Sequence, residues 1–191
     1  MATESPASSG SPSESGSGSS GSPGASPTDN LGLQHVDAAL EAKLPNIIGN
    51  VQLEKMSLPL STYIASSQGG DKALYTPWLV GFGKTPDQVN IAIAADLTQT
   101  ENFFEQAVEV PGATAATLSD SFAAEARAKN WPVSTKLESS GLPKTVLEII
   151  DPAVRDAGGL GTAYVYAHGD VLYIVVTDDP ALLIEALIKL P

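Results

Sequence analysis

Two histidines, His35 and His168, and no cysteine at all are what this chain offers for metal binding and proton transfer beyond its carboxylates. The missing cysteine excludes disulfides, thiolate nucleophiles and thiolate metal sites together. A Ser-His-Asp relay would require His168 to be held by a buried carboxylate and to face an activated serine. Asp170 stands close in sequence, but it is the residue a hairpin turn wants at that place. Zinc needs three or four ligands, and the two histidines are far apart in the chain. His168 therefore reads as an exposed strand-end residue, and no catalytic or metal-ligating residue is assigned.

The carboxylates and glycines fare no better as chemistry. Asp178-Asp179 precede a proline and a helical pattern, so capping and the helix dipole account for both. Asp151 and Asp156 flank a loop without the alternating oxygen ligands of a calcium loop, and carboxylates gathered from separate loops would leave no signature. Gly81-Phe82-Gly83-Lys84-Thr85 invites a phosphate-loop reading. That motif needs glycine where Trp78 stands, and a strand before the loop with a helix after it, the reverse of the order here. Asp156-Ala157-Gly158-Gly159-Leu160-Gly161 lacks dinucleotide-loop spacing and is expected to be a flexible connection between strands. No cofactor is implied.

What remains is a surface. Tyr164, Tyr166 and Tyr173 fall on one face of a hairpin over 162–177, turning at Gly169-Asp170, with Ala163, Val165, Ala167, Leu172, Ile174 and Val176 on the other. The tyrosine face also carries Lys136, Glu138 and Glu148. Tyrosine suits faces that must be apolar and hydrogen-bonding at once, so these three form the candidate binding face. The plainer alternative is that cross-strand tyrosine pairs merely stabilise a solvated sheet.

The elements that would position this face follow from periodicity and breakers. A short helix is expected over 37–44, stopped by Pro45, and a strand over 51–58. A long loop containing Gly69-Gly70-Asp71 follows, then a brief helix capped at Thr76-Pro77 and stopped by Gly81 and Gly83. A half-buried strand over 89–95, a partner over 103–110 and a helix over 113–129 with Leu118, Phe122 and Ala126 on its buried stripe come next. A strand from Val133 returns through 144–150, with Glu138 opposite Lys144. After the 162–177 hairpin, Asp179-Pro180 opens a last helix whose Leu183, Leu187 and Leu190 face inward. The fold class is α+β, a mostly antiparallel sheet with helices on one face, its first six elements possible as a ferredoxin-like unit.

The chain has 191 residues and a net charge of −12. Residues 1–30 hold eleven Ser, five Gly and four Pro, with three acids and no Lys or Arg. Such a stretch cannot bury enough surface to offset its ordering entropy, and reads as a disordered tether of roughly 30 Å end to end. Residues 31–191 read as one globular domain of net charge −9, with nineteen acids against ten Lys and Arg. Without a basic stripe, nucleic acid is not an expected partner. No apolar run reaches the length of a membrane span.

The tether resembles the spacer that follows the lipid-modified cysteine of many mature bacterial surface lipoproteins. The resemblance covers these thirty residues only. It implies export and an extracellular or surface location, with Met1 standing where the export signal and lipidated cysteine were, and hence a possible lipid anchor. The alternative is an ordinary tail on a cytoplasmic protein. The leading functional expectation is a non-enzymatic extracellular binding or interaction domain for an unknown protein or small-molecule partner. The rivals are a hydrolase whose site assembles only in the fold, and a structural or folding-partner module. The oligomeric state is left open.

Overall fold

In the computed structural model the described residues are Met1, 32–66, 72–98, Thr100, 102–136 and 142–191. The tether, and Glu138 as the expected partner of Lys144, lie outside them. In chain order the elements are α1 (Ala38–Glu41), β1 (Ile47–Ile48), β2 (Val51–Gln52), β3 (Glu54–Pro59), α2 (Leu60–Ser66) and α3 (Lys72–Val80). A 3-10 turn (Pro86–Gln88) leads to β4 (Asn90–Ala95), β5 (Phe104–Glu109), α4 (Ala115–Ala128), β6 (Val133–Lys136) and β7 (Val146–Ile150). The chain ends with α5 (Pro152–Asp156), β8 (Thr162–His168), β9 (Val171–Val176) and α6 (Pro180–Lys189). The class is α+β: a seven-stranded antiparallel sheet ordered β3-β4-β5-β9-β8-β7-β6, with β1 and β2 forming a small sheet of their own. Among the described residues no helix is long and apolar enough to cross a membrane.

The expectation that helices gather on one face is corrected. One core joins Leu74, Tyr75, Trp78 and Leu79 of α3 and Leu118, Phe122 and Ala126 of α4 to Ile91, Val108, Leu172 and Ile174 of the sheet. A second core, on the reverse, joins Leu40 and Leu44 near α1 and Leu183, Ala186 and Leu187 of α6 to Ala92, Ala94, Ala107, Tyr173 and Val175. The cause is visible in the central strands. β4 is buried on both sides rather than half-buried, and β9 reads Val-Leu-Tyr-Ile-Val-Val without a polar alternation. A strand of that kind must be covered twice. The alanines on the second face let the covering elements approach the sheet closely.

The ferredoxin-like arrangement is also corrected. It requires strands joined through a helix to run parallel with another strand between them. Here β3 and β4, joined through α2 and α3, are direct antiparallel neighbours, and β6 lies at the far edge. Three local expectations change as well. α2 occupies part of the expected loop, burying Leu60 and Tyr63. Pro77 sits inside α3 rather than at its start, because burial of Leu74, Tyr75, Trp78 and Leu79 outweighs the one helical hydrogen bond that proline removes. The loop expected between Asp151 and Asp156 is α5, and the stretch from Asp156 to Gly161, expected as a flexible connection, begins with that helix's last residue. The 162–177 hairpin keeps its expected register, His168 opposite Val171, and Asp179 caps α6 through Ala181 N and Leu182 N.

Second-face burial has an electrostatic consequence. Glu105 of β5 lies between Ala94 and Val175, fully buried, and among the described residues neither carboxylate oxygen has a hydrogen-bond partner. Burial pushes its carboxyl up to about 8, against the opposing pull of the Lys55 and Lys144 ammonium groups. Between the unfolded value of 4.5 and about 8, the unfolded chain has released a proton that the folded chain keeps. Stability contributed by this group is therefore full below the lower value and falls as pH rises towards the upper one. Glu105→Gln should melt with wild type at pH 4 and above it at pH 8. The gap should grow by up to about 1.4 kcal/mol per pH unit in between. Thermal melts of both proteins across that range check it; parallel curves would contradict it.

Candidate functional site

α4 stops at Asn130, which adopts φ 60°, and the chain turns into β6 through Trp131. The sheet carries on past this point. At that end β5 and β8 begin while β7 and β9 finish, and the helical layer no longer reaches them. A cavity of about 220 Å³ opens there. Its floor is Phe104, Ala163, Ile174 and Val176 of the sheet. Its walls are Tyr63 of α2, Leu74 of α3, Phe122 of α4 and Trp131, and its cover is Val154 of α5 with Leu160 and Gly161. The lining is overwhelmingly apolar.

α5 is only five residues long, yet both ends are secured. The Asp151 carboxylate accepts from Ala153 N and Val154 N, at 2.9 and 3.3 Å, and Pro152 occupies the first turn. At the other end Gly158 N donates to Arg155 O and Gly159 N to Val154 O, at 2.9 and 3.0 Å, with Gly158 at φ 80°. This is the paired C-terminal motif that needs a left-handed glycine. Asp151 N donates to Gly161 O at 2.7 Å, closing the loop on itself. The stretch from Asp156 to Gly161, expected to be a flexible connection, is hydrogen-bonded back onto α5 as its C-terminal cap.

The inner wall is held by a buried polar chain. The Tyr75 hydroxyl donates to Gln106 Oε1, and Gln106 Nε2 donates to the Tyr63 hydroxyl at 2.7 Å. α2, α3 and β5 are thus tied together beside the cavity. Beyond Leu160 and Gly161, which line both spaces, lies a more polar cleft of about 560 Å³. Arg155, Asn102, Thr162, Tyr164, Thr177 and Asp178 contribute to it.

The sequence-derived candidates are placed as follows. Tyr173 is 1% exposed in the second core, its ring stacked on Tyr166 at 6.1 Å between centroids. Burial pushes its hydroxyl pKa far up. Tyr166 is half-buried, its hydroxyl donating to Pro191 O at 3.0 Å and its ring beneath the Lys144 ammonium. Tyr164 is half-buried at the polar cleft. The open tyrosine face is therefore corrected: α1, α6 and the C-terminal residues cover it, and only Tyr164 joins the site described here. Glu148 pairs with Lys136 at 3.0 Å and accepts from Ser134. Lys144 donates to Leu190 O and Pro191 O.

His168 is exposed at the end of β8. His35 Nδ1 lies 2.9 Å from Glu41 Oε2, and Ser57 Oγ donates to Glu41 Oε1 at 2.5 Å. That trio has a nucleophile-like serine, a base and an acid, but the acid stands in the middle. A relay needs the imidazole there, between carboxylate and hydroxyl, and Ser57 is fully buried. Lys84 and Thr85 lie in a helix-to-strand turn, as the motif analysis implied. Asp178 reaches the rim of the polar cleft, whereas Asp156 is exposed at the end of α5.

The cavity was not anticipated from the sequence, because its walls come from eight elements and the turns between them. One signal was available. Asp151-Pro152 followed by Gly158 carries the start and stop chemistry of a short helix. Compared with protein-family models, with curated proteins and with solved structures, the chain finds no match.

Gly161 is the tightest point of the cover. A side-chain carbon there would lie 2.6 Å from Arg155 N and 2.8 Å from Asp151 O, both backbone atoms of the capped turn. Gly161→Ala must push α5 off the sheet. The expected loss is roughly 1–3 kcal/mol of stability, with faster amide exchange confined to Ala153–Gly159. An unchanged melting temperature and exchange pattern would contradict the assigned role of the cover.

Proposed function

We propose that this is a non-enzymatic binding domain that receives a small apolar molecule beneath α5, and that the Ser/Gly/Pro-rich stretch tethers it outside the cell. The observation that carries the binding reading is the apolar cavity itself, at about 220 Å³ with a cover built and capped separately from the rest of the fold. A dry apolar cavity of about 150 Å³ already admits benzene, so this one has room for a two-ring or similarly sized body. Pockets of this kind, apolar with few polar groups, are the usual form of small-ligand sites.

Recognition is favoured over chemistry by what the polar groups on the wall are already doing. The Asp151 carboxylate caps α5, and the Tyr63 hydroxyl accepts from Gln106. Each holds the site in shape. The location rests on different grounds, namely the composition of residues 1–30 and its resemblance to lipoprotein spacers. Protease treatment of intact producing cells tests that part: the domain should be released or lost while cytoplasmic markers survive.

Naphthalene is a suitable neutral probe for the cavity. Titrated into the protein and followed by chemical-shift changes, it should perturb Ala163, Ile174 and Val154 together. Ala163→Leu extends a side chain from the cavity floor and should weaken that binding at least tenfold while the protein stays folded. Equal binding by a folded Ala163→Leu variant would overturn the assignment of the cavity as the site.

A further inference from the structure

Resting on the cavity as a ligand site, we infer that the ligand is an amphipathic anion, its apolar body under α5 and its carboxylate, or a comparable oxyanion, in the neighbouring cleft against Arg155. The argument starts from two adjacent residues. Val154 lines the apolar cavity and Arg155, the next residue on the same short helix, lines the polar cleft. Leu160 and Gly161 border both spaces. A molecule seated beneath Val154 and passing Leu160 brings its outer end to the cleft.

Asp178 apart, each of the described polar side chains lining the cleft can donate a hydrogen bond. Among the described residues Arg155 is the one cation lining the cleft, and it makes no ion pair or side-chain hydrogen bond with any of them. It is one of only two arginines in a chain of net charge −12. In so acidic a molecule an arginine that meets no carboxylate among the described residues stands out, since its planar fork suits carboxylate and phosphate oxygens. The Asn102 amide and the hydroxyls of Thr162 and Tyr164 add neutral donors around it. Asp178 is the one carboxylate lining the cleft among the described residues. It opposes an anion and would favour a cation, so the charge preference of the site is a direct test.

Three probes share one ring system: naphthalene, 2-naphthoate and 2-naphthylmethylammonium. On the wild-type chain at low salt, 2-naphthoate should bind about tenfold or more tightly than naphthalene, and added salt should reduce the difference. Arg155→Gln should remove the carboxylate advantage and leave naphthalene binding unchanged; Arg155→Lys should restore part of it. The inference is overturned if naphthoate binds no better than naphthalene, if its advantage survives in Arg155→Gln, or if the ammonium probe is preferred. Failure of naphthalene itself to bind would instead sink the cavity as a ligand site. The two failures are therefore distinct.

Discussion

The organising constraint is that the central strands have no face fit for water. β4, β5 and β9 present Ile91, Val108, Leu172 and Ile174 to one side and Ala92, Ala94, Ala107, Tyr173 and Val175 to the other, all buried. Leaving either side open would expose a contiguous apolar surface of the kind monomeric proteins avoid. The sheet is therefore clad twice, by α2, α3 and α4 on one side and by α1, the small sheet and α6 on the other. Much else follows from that second cladding. It seals Tyr173, and it takes Glu105 out of water although no hydrogen-bonding group among the described residues meets its carboxyl. Half-buried Lys55, which donates to the carbonyls of Glu41 at the end of α1 and Leu44 just beyond it, stands at the margin of the same layer.

Cladding by helices leaves ends. α4 is the longest helix described, yet it stops before the sheet does. Were the resulting space of about 220 Å³ a sealed void, it would cost about 5 kcal/mol at roughly 24 cal/mol per Å³. Total stabilities are only about 5–15 kcal/mol, so an idle void of that size would be a heavy burden. Trp131 and Phe122 stand at its edge, and larger side chains at Ala163 or a longer α4 would fill it. Instead the chain places a separate five-residue helix over the gap and secures both of its ends. A space kept and covered in this way is the feature on which the proposed binding reading rests.

Local chemistry was legible in the sequence and tertiary occupancy was not. The 162–177 hairpin could be read to the residue because Gly169-Asp170 fixes the turn and the turn fixes the register. Its two faces were assigned correctly for the same reason. What covers the tyrosine face was not readable, since α1 lies far from it in sequence and α6, although it directly follows β9, does not announce which face of the sheet it packs on. β9 did hold a clue: six consecutive apolar residues mark a strand buried on both sides. Pro77 misled because its usual place at a helix start was overridden by four buried neighbours. Arg155 and Leu160 carried no motif, and they acquire meaning only when α5 folds back across the start of β8. Glu105 was open to suspicion as a charge within an otherwise buried strand, but alternation alone could not say which of Glu105 and Gln106 would be left without partners.

Those two neighbours show how the site keeps its shape. They point to opposite faces of β5. Gln106 faces the helices that wall the cavity, and its amide is engaged by Tyr75 on one side and Tyr63 on the other. Losing any member would break a buried hydrogen bond, at a cost of about 0.5–1.5 kcal/mol. α2 and α3 therefore cannot slide inward to close the cavity without breaking that chain, nor can α5 drop in while Asp151 and Gly158 hold its ends. A pocket that cannot collapse keeps its apolar walls ready for a ligand, so less of the binding free energy is lost to reorganisation. The polar groups nearest the cavity thus act mainly as its frame; on the proposed binding reading, discrimination among ligands falls to the cleft beyond Leu160.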